Sequence, residues 1–231
     1  MRITKRIHVL LVVGLAVIFA GTLGCSTTPD TSGSGGSEKA QPKVTSDGLV
    51  EVETEGEGSL YIRPNHGIGG YDAIVIAPAF VNYRRTSAQL DPDDEEFYLV
   101  SLEQALVDEA NAIGAPIKYD IGECTIKVGI GFVNVNLARA ESSIVLGEMI
   151  LVIEYKDSLS GESLLRLMVP KRIERESEGV TRAEQISLSF DRMIDEVDVT
   201  TALRSATKVP SAPRPGCEGR LVNAGLPSVV K

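Results

Sequence analysis

Tryptophan is absent from this chain, and aromatic residues make up only 5% of it. Any core must therefore be filled by Val, Ile and Leu. Histidine is nearly absent: His8 and His66 are the two. A nucleophile normally needs a base beside it, most often His. His66, in Arg63-Pro64-Asn65-His66-Gly67, reads as an exposed loop residue, and no Gly-x-Ser-x-Gly elbow is present. Two His and three Cys, all widely spaced in the sequence, do not supply a zinc site. A phosphate loop is missing too, because Gly129-x-Gly131 falls within a strand pattern and lacks the Gly-Lys-Ser/Thr that would follow. No metal or cofactor is expected. Basic residues are outnumbered, 23 to 32, for a net charge of −9. An acidic surface repels phosphate backbones, so nucleic acid is not expected as a partner.

What the chain does have is a distinctive start. Arg2, Lys5 and Arg6 precede a mostly apolar stretch from Val9 to Ala20, and Gly21-Thr22-Leu23-Gly24-Cys25 follows. A basic start, a short apolar core and small residues at the end form a secretory signal. The apolar core is shorter than the ~20 residues a spanning helix needs. The cysteine at the cut is similar to the lipobox of bacterial lipoproteins, which implies a mature chain that begins at an acylated Cys25. Thr22 and Gly24 also suit ordinary signal peptidase, so export without lipid is the other reading. Removing Arg2, Lys5 and Arg6 takes the formal charge from −9 to −12. No basic docking patch is evident, so membrane attachment would come from the lipid. One acyl chain holds only reversibly and several hold stably; lipoproteins of this kind typically carry three. Ser26, where an Asp would resemble an inner-membrane retention signal, leans towards the outer membrane.

Lipidation of Cys25 would leave Cys124 and Cys217 as an even pair. In an oxidising periplasm they are a candidate disulfide. Closing a loop of 93 residues could stabilise by up to ~4–5 kcal/mol in the chain-entropy model. The alternative is two unrelated thiols, Cys124 small and buried in a strand and Cys217 free in a tail. Residues 25–46 are rich in Ser, Thr, Gly and Pro and read as a flexible tether, with an r.m.s. reach of about 25 Å. Glu51, Glu53, Glu55 and Glu57 alternate in what reads as a loosely ordered lead-in rather than an acidic binding site.

Strand and helix signals follow. Tyr71 to Pro78 is a buried-strand run, with Phe80, Val81 and Tyr83 extending past the proline as an edge. Asp91 caps a helix with Pro92 at its first position and Asp93, Asp94, Glu95 and Glu96 at the positive end of the dipole. Leu99, Leu102, Leu106, Ala110 and Ile113 keep helical spacing, and Gly114 with Pro116 stops it. Cys124, Ile126, Val128 and Ile130 alternate, then the parity changes after Gly131, which reads as a bulge or bend. Ile144 to Tyr155 is apolar on both faces and reads as a central strand. The turn Lys156 to Glu162 leads into its hairpin partner, Ser163 to Val169. Thr181-Arg182-Ala183-Glu184 is a capping box opening a second amphipathic helix that continues to about Ala206. The expected fold is α+β, a two-layer sandwich with a mixed or antiparallel sheet of about four strands and two helices on one face. The expected organisation is a signal over 1–24, the tether over 25–46, the domain over 47–206 and an irregular tail over 207–231.

These residues resemble a known family. Ser46-Asp47-Gly48-Leu49-Val50, the Tyr71-Asp72 strand ending at Pro78, the acidic helix start and the Glu154 to Glu162 segment look like the bacterial lipoproteins grouped as domain of unknown function 3313. The strongest likeness is Leu146-Gly147-Glu148-Met149, then Asp157-Ser158, then Ser160-Gly161-Glu162-Ser163-Leu164. The helix from Phe190 to Arg204 resembles the family's closing helix, although the Trp usual near it is missing. The likeness spans roughly residues 46–206 and implies an exported lipoprotein domain; it transfers no catalytic residue.

Carboxylates are the remaining chemistry. Asp91, Asp93, Asp94 and Glu95 could suggest calcium, but their spacing does not match an EF-hand loop and helix-start charge accounts for them. Asp157 and Glu162 flank a hairpin tip that turn chemistry explains. The expected function is therefore a non-enzymatic envelope lipoprotein that binds another envelope component or accompanies an assembly machine. The alternative is a carboxylate-dependent hydrolase of cell-wall glycan, which needs two acids in one apolar-walled cleft, drawn from Glu148, Glu154, Asp157 and Glu162. A purely structural, self-associating lipoprotein is a third reading.

Overall fold

The structure is a computed structural model that describes residues 42–54, 57–140, 143–175, 179–209 and 214–221. The signal segment 1–24, Cys25 and the tether as far as residue 41 lie outside the described residues. No helix among the described residues is long and apolar enough to cross a membrane.

The strands are β1 (Val50–Val52), β2 (Ser59–Ile62), β3 (Ala73–Ile76), β4 (Phe80–Tyr83), β5 (Thr125–Leu137), β6 (Val145–Asp157) and β7 (Ser163–Glu174). The helices are α1 (Pro92–Ala112), α2 (Arg182–Asp195) and α3 (Thr200–Lys208). The class is α+β, with one seven-stranded sheet in the order β1-β2-β7-β6-β5-β3 and β4 also paired to β5. The long meander β5-β6-β7 is antiparallel, while β3 and β4 run parallel to β5.

The expectation of about four strands falls short because β1 and β2 are too short for pattern reading, and Phe80–Tyr83, read as an extension of the Tyr71 run, is a strand of its own. β1 and β2 are three and four residues long. β2 forms because β7 offers it an edge, with Leu60 facing Leu167 and Ile62 facing Leu165, and β1 pairs in turn with β2. The acidic lead-in is thus an edge strand in part, with Glu51 paired to Lys43. β4 sits so close to β5 that a Cβ on Gly131 would collide with the Phe80 carbonyl oxygen. Gly131 is therefore needed for that approach, and the parity change lies beyond it. The bulge falls between Val133 and Asn136, with Asn134 at φ 55°.

One sheet face is apolar along the middle of its long strands. Ile126, Val128, Ile130 and Phe132 lie beside Leu151, Ile153 and Tyr155, which lie beside Leu165, Leu167 and Val169. The helices cover this face. Tyr98, Leu102, Leu106 and Ala110 are the buried stripe of α1. Phe190 of α2 stacks on Tyr98 at 4.7 Å and meets Phe132 edge-on at 5.0 Å. Asp91 accepts from the Asp93 amide at the start of α1, and the Thr181–Glu184 capping box is present at the start of α2.

The second helix does not continue unbroken to Ala206. It ends at Asp195, and α3 starts at Thr200. Asp198 interrupts it: one carboxylate oxygen accepts from the Thr200 and Thr201 amides at 2.9 and 3.0 Å. Short polar side chains that bond the backbone locally compete with helix continuation, and the flanking Val197, Val199, Thr200 and Thr201 are β-branched.

Candidate binding groove

The candidate disulfide pair is joined: Cys124 and Cys217 form a disulfide with Cα atoms 5.5 Å apart. Around it, residues 214–221 are strapped to the sheet. Arg214 places Nη1 2.7 Å from Asp157 Oδ2 and 2.7 Å from the Tyr71 hydroxyl, and its guanidinium lies over the Tyr71 ring. Asp72 Oδ1 accepts from the Glu218 and Arg220 amides, and the Leu221 amide donates to the Tyr71 carbonyl. Leu221 is buried and lines one small cavity with Ile74, Leu106, Val199 and Leu203.

His66 is not an exposed loop residue; it is only 3% exposed. Its Nδ1 accepts from the Ile68 amide at 3.0 Å as the chain turns through Ile68–Gly70. Burial pushes the imidazole below its ordinary pKa, against the opposing pull of the Val209 and Ala206 carbonyls. Gly67, at φ 59°, turns the chain just after His66, which a loop reading from polarity alone places outside.

The four carboxylates of the hydrolase reading serve other ends. Asp157 is buried, with Oδ1 accepting from the Leu159 and Ser160 amides and Oδ2 from Tyr71 and Arg214. Burial opposes its charge, but the Ser160 and Tyr71 hydrogen bonds and Arg214 outweigh burial and hold its pKa below the usual range. Glu154 lies on the opposite sheet face from Ile153, bonded to Arg166, Lys156 and Ser163, and its pKa is likewise lowered despite desolvation. Glu162 pairs with Arg63 at the surface, and Glu148 is exposed. Of the acids at the start of α1, Asp91 is the cap and Glu95 accepts from the Tyr83 hydroxyl. Asp72, Cys124 and Cys217 bring three ligand atoms within 4.8 Å of one another, but the two sulfurs are bonded to each other.

A groove elsewhere has the makings of a binding site. It encloses about 300 Å³ on the helix-bearing face of the sheet. Its floor is two cross-strand pairs, Leu151 with Val169 and Ile153 with Leu167. Its rim is polar. Glu57 comes from the β1–β2 connection, Lys171 from β7, and Glu196, Asp198 and Thr201 from the break between α2 and α3 and the start of α3. Lys171 Nζ lies 2.9 Å from Glu196 and 3.6 Å from Glu57. Asp198 also accepts from the Thr200 and Thr201 hydroxyls, and these bonds to the start of α3 hold its pKa down against desolvation. None of the four hydrolase candidates lines this groove. An apolar floor with a few fixed polar groups is what small binding sites share.

The groove was missed in the sequence because its rim comes from three separate places in the chain. The period-2 pattern in β6 and β7 marks the floor residues as buried but not as lining a recess. The nearest signal is Val197-Asp198-Val199-Thr200-Thr201, whose β-branched, locally bonding residues could have marked the helix break.

Fold and groove together define an α+β domain with an open sheet covered on one face. No family model matches the chain, the one for domain of unknown function 3313 included, and no curated protein matches it. Several solved structures overlap it in part. The PelC dodecamer from Paraburkholderia phytofirmans is 10% identical, over 59% of this chain and 94% of that one, with a TM-score of 0.32. A minor lipoprotein from Acinetobacter baumannii is 13% identical, over 62% and 98%, with a TM-score of 0.32. A Xanthomonas campestris protein of family model DUF330 is 11% identical, over 67% and 94%, with a TM-score of 0.35.

Proposed function

We propose that this protein is an exported bacterial envelope lipoprotein, anchored by acyl chains on Cys25, whose domain binds another envelope component without catalysing a reaction. The observation that carries the reading is the sequence Gly21-Thr22-Leu23-Gly24-Cys25 at the end of a basic-then-apolar start. The disulfide supports export, since such bonds persist in oxidising compartments. Several acyl chains anchor stably, and no basic docking patch is evident in the sequence to replace them. The groove supports a binding role, since its apolar floor of Leu151, Ile153, Leu167 and Val169 is ringed by a few polar groups. Ser26, where an Asp would resemble an inner-membrane retention signal, leans the reading towards the outer membrane.

The test is an intact mass of the protein extracted from membranes. A mature chain that starts at Cys25 and carries acyl groups is the expected result. A chain cut after Gly24 without acyl groups overturns the anchor and leaves export standing. An uncut chain overturns both.

A further inference from the structure

We infer that the groove takes a short aliphatic stretch of a partner polypeptide that carries a lysine or arginine beside its apolar residues. This rests on the reading of the domain as a binding module and names the chemistry of its partner. The volume is the first reason. About 300 Å³ is at the bottom of the ~300–1,000 Å³ range of small-molecule sites, so it suits a side-chain anchor better than a whole ligand. A free small ligand would have little else to hold, whereas a chain can add contacts beyond the groove. The floor of Leu151, Ile153, Leu167 and Val169 offers no hydrogen bond, which selects an apolar anchor.

Charge complementarity is the second reason. Glu57, Glu196 and Asp198 set three carboxylates around the apolar floor against the single ammonium of Lys171. That ammonium sits between Glu196 and Glu57 and offsets only part of the rim's charge, which stays net negative. The whole chain has the same sign, −9. Such a field steers cationic partners in and repels anionic ones, and like charges set against each other at an interface are a strong filter on specificity. A fatty acid, apolar but anionic, would bring the wrong charge to this rim.

The experiment uses the full chain with Cys25→Ser, so that binding is read without a lipid and independently of whether Cys25 is acylated. Two labelled peptides are compared by fluorescence anisotropy, one alternating leucine with lysine and one alternating leucine with glutamate. The lysine peptide should bind saturably and at least about tenfold tighter, weakening as salt rises. Glu57→Lys with Glu196→Lys should weaken it at least about tenfold, whereas Glu123→Lys with Glu148→Lys, the same charge change at exposed sites outside the groove, should change it less than about twofold. Equal binding of both peptides, no saturable binding, or equal effects of the two double variants overturns the inference. So does displacement of the lysine peptide by hexylamine at matching concentration, which would make the occupant a free amine. The mass of the mature N-terminus reports on the anchor alone, so failure there and failure here are separate results.

Discussion

Asp157 shows how much of this domain rests on single polar groups placed at the end of a strand. It closes the β6–β7 turn through Oδ1 and receives Tyr71 and Arg214 on Oδ2. Its folded pKa is lowered, burial notwithstanding. A lowered folded value means stability that is complete above the unfolded carboxyl pKa near ~3.9 and lost as pH falls through the folded value. Asp157→Asn should therefore cost about 1–3 kcal/mol at pH 6, because a charge-assisted pair becomes a neutral one beside a partly exposed guanidinium. In urea titrations from pH 6 to pH 2, the gap between wild type and variant should close below about pH 4. A gap independent of pH would mean that the carboxylate's charge contributes nothing. At Gly131 the constraint is space, not charge. Gly131→Ala would set a methyl against the Phe80 carbonyl oxygen, so β4 must shift. Amide exchange should rise at Phe80 to Tyr83 and stay unchanged on the β6–β7 pairing, far from the collision.

At the level of elements, local chemistry was readable wherever a residue acts on its own neighbours. Asp91 before Pro92, and Thr181 three residues before Glu184, mark helix starts that the structure contains. The Thr181 hydroxyl accepts from the Glu184 amide while Glu184 bonds the Thr181 amide. Thr181→Ala should cost about 0.5–2 kcal/mol of unfolding free energy, with no change in the pairing of the sheet. Elements that exist only because of a distant partner were not readable. Ser59–Ile62 has no strand pattern long enough to stand out, and it becomes β2 because Leu165 to Met168 present a free edge to it. The break at Asp198 lies between these cases. Its local bonds were legible in Val197-Asp198-Val199-Thr200-Thr201, but the apolar spacing of Ile186, Phe190, Met193 and Val197 runs up to it and hides it. The groove depends on that break and on β1–β2, so it shared their invisibility.

For the whole molecule, the segment 214–221 is bonded to the sheet end and reaches the space between helices and sheet. α2 and α3 follow β7 in the chain, and beyond them the strap returns to the start of β3 and β5. It is fastened by an ion pair at Arg214, the disulfide at Cys217, and strap amides that donate to the Asp72 carboxylate and the Tyr71 carbonyl. Leu221 then sits 3% exposed where α1 and α3 meet the sheet. If these fastenings work together, their losses must not add. Reducing the disulfide should lower the unfolding free energy by about 2–5 kcal/mol, as expected for removal of a native cross-link around a long loop. Leu221→Ala in the oxidised protein should cost about 2–4 kcal/mol, since the site is enclosed on several sides. The same substitution in the reduced protein should cost distinctly less, because a strap without its covalent hold already leaves the pocket part of the time. Urea unfolding of the four states, oxidised and reduced, with and without Leu221→Ala, gives the coupling directly. A coupling within about 0.5 kcal/mol of zero would mean that Leu221 and the disulfide stabilise the domain independently and that residues 214–221 do not act as one strap.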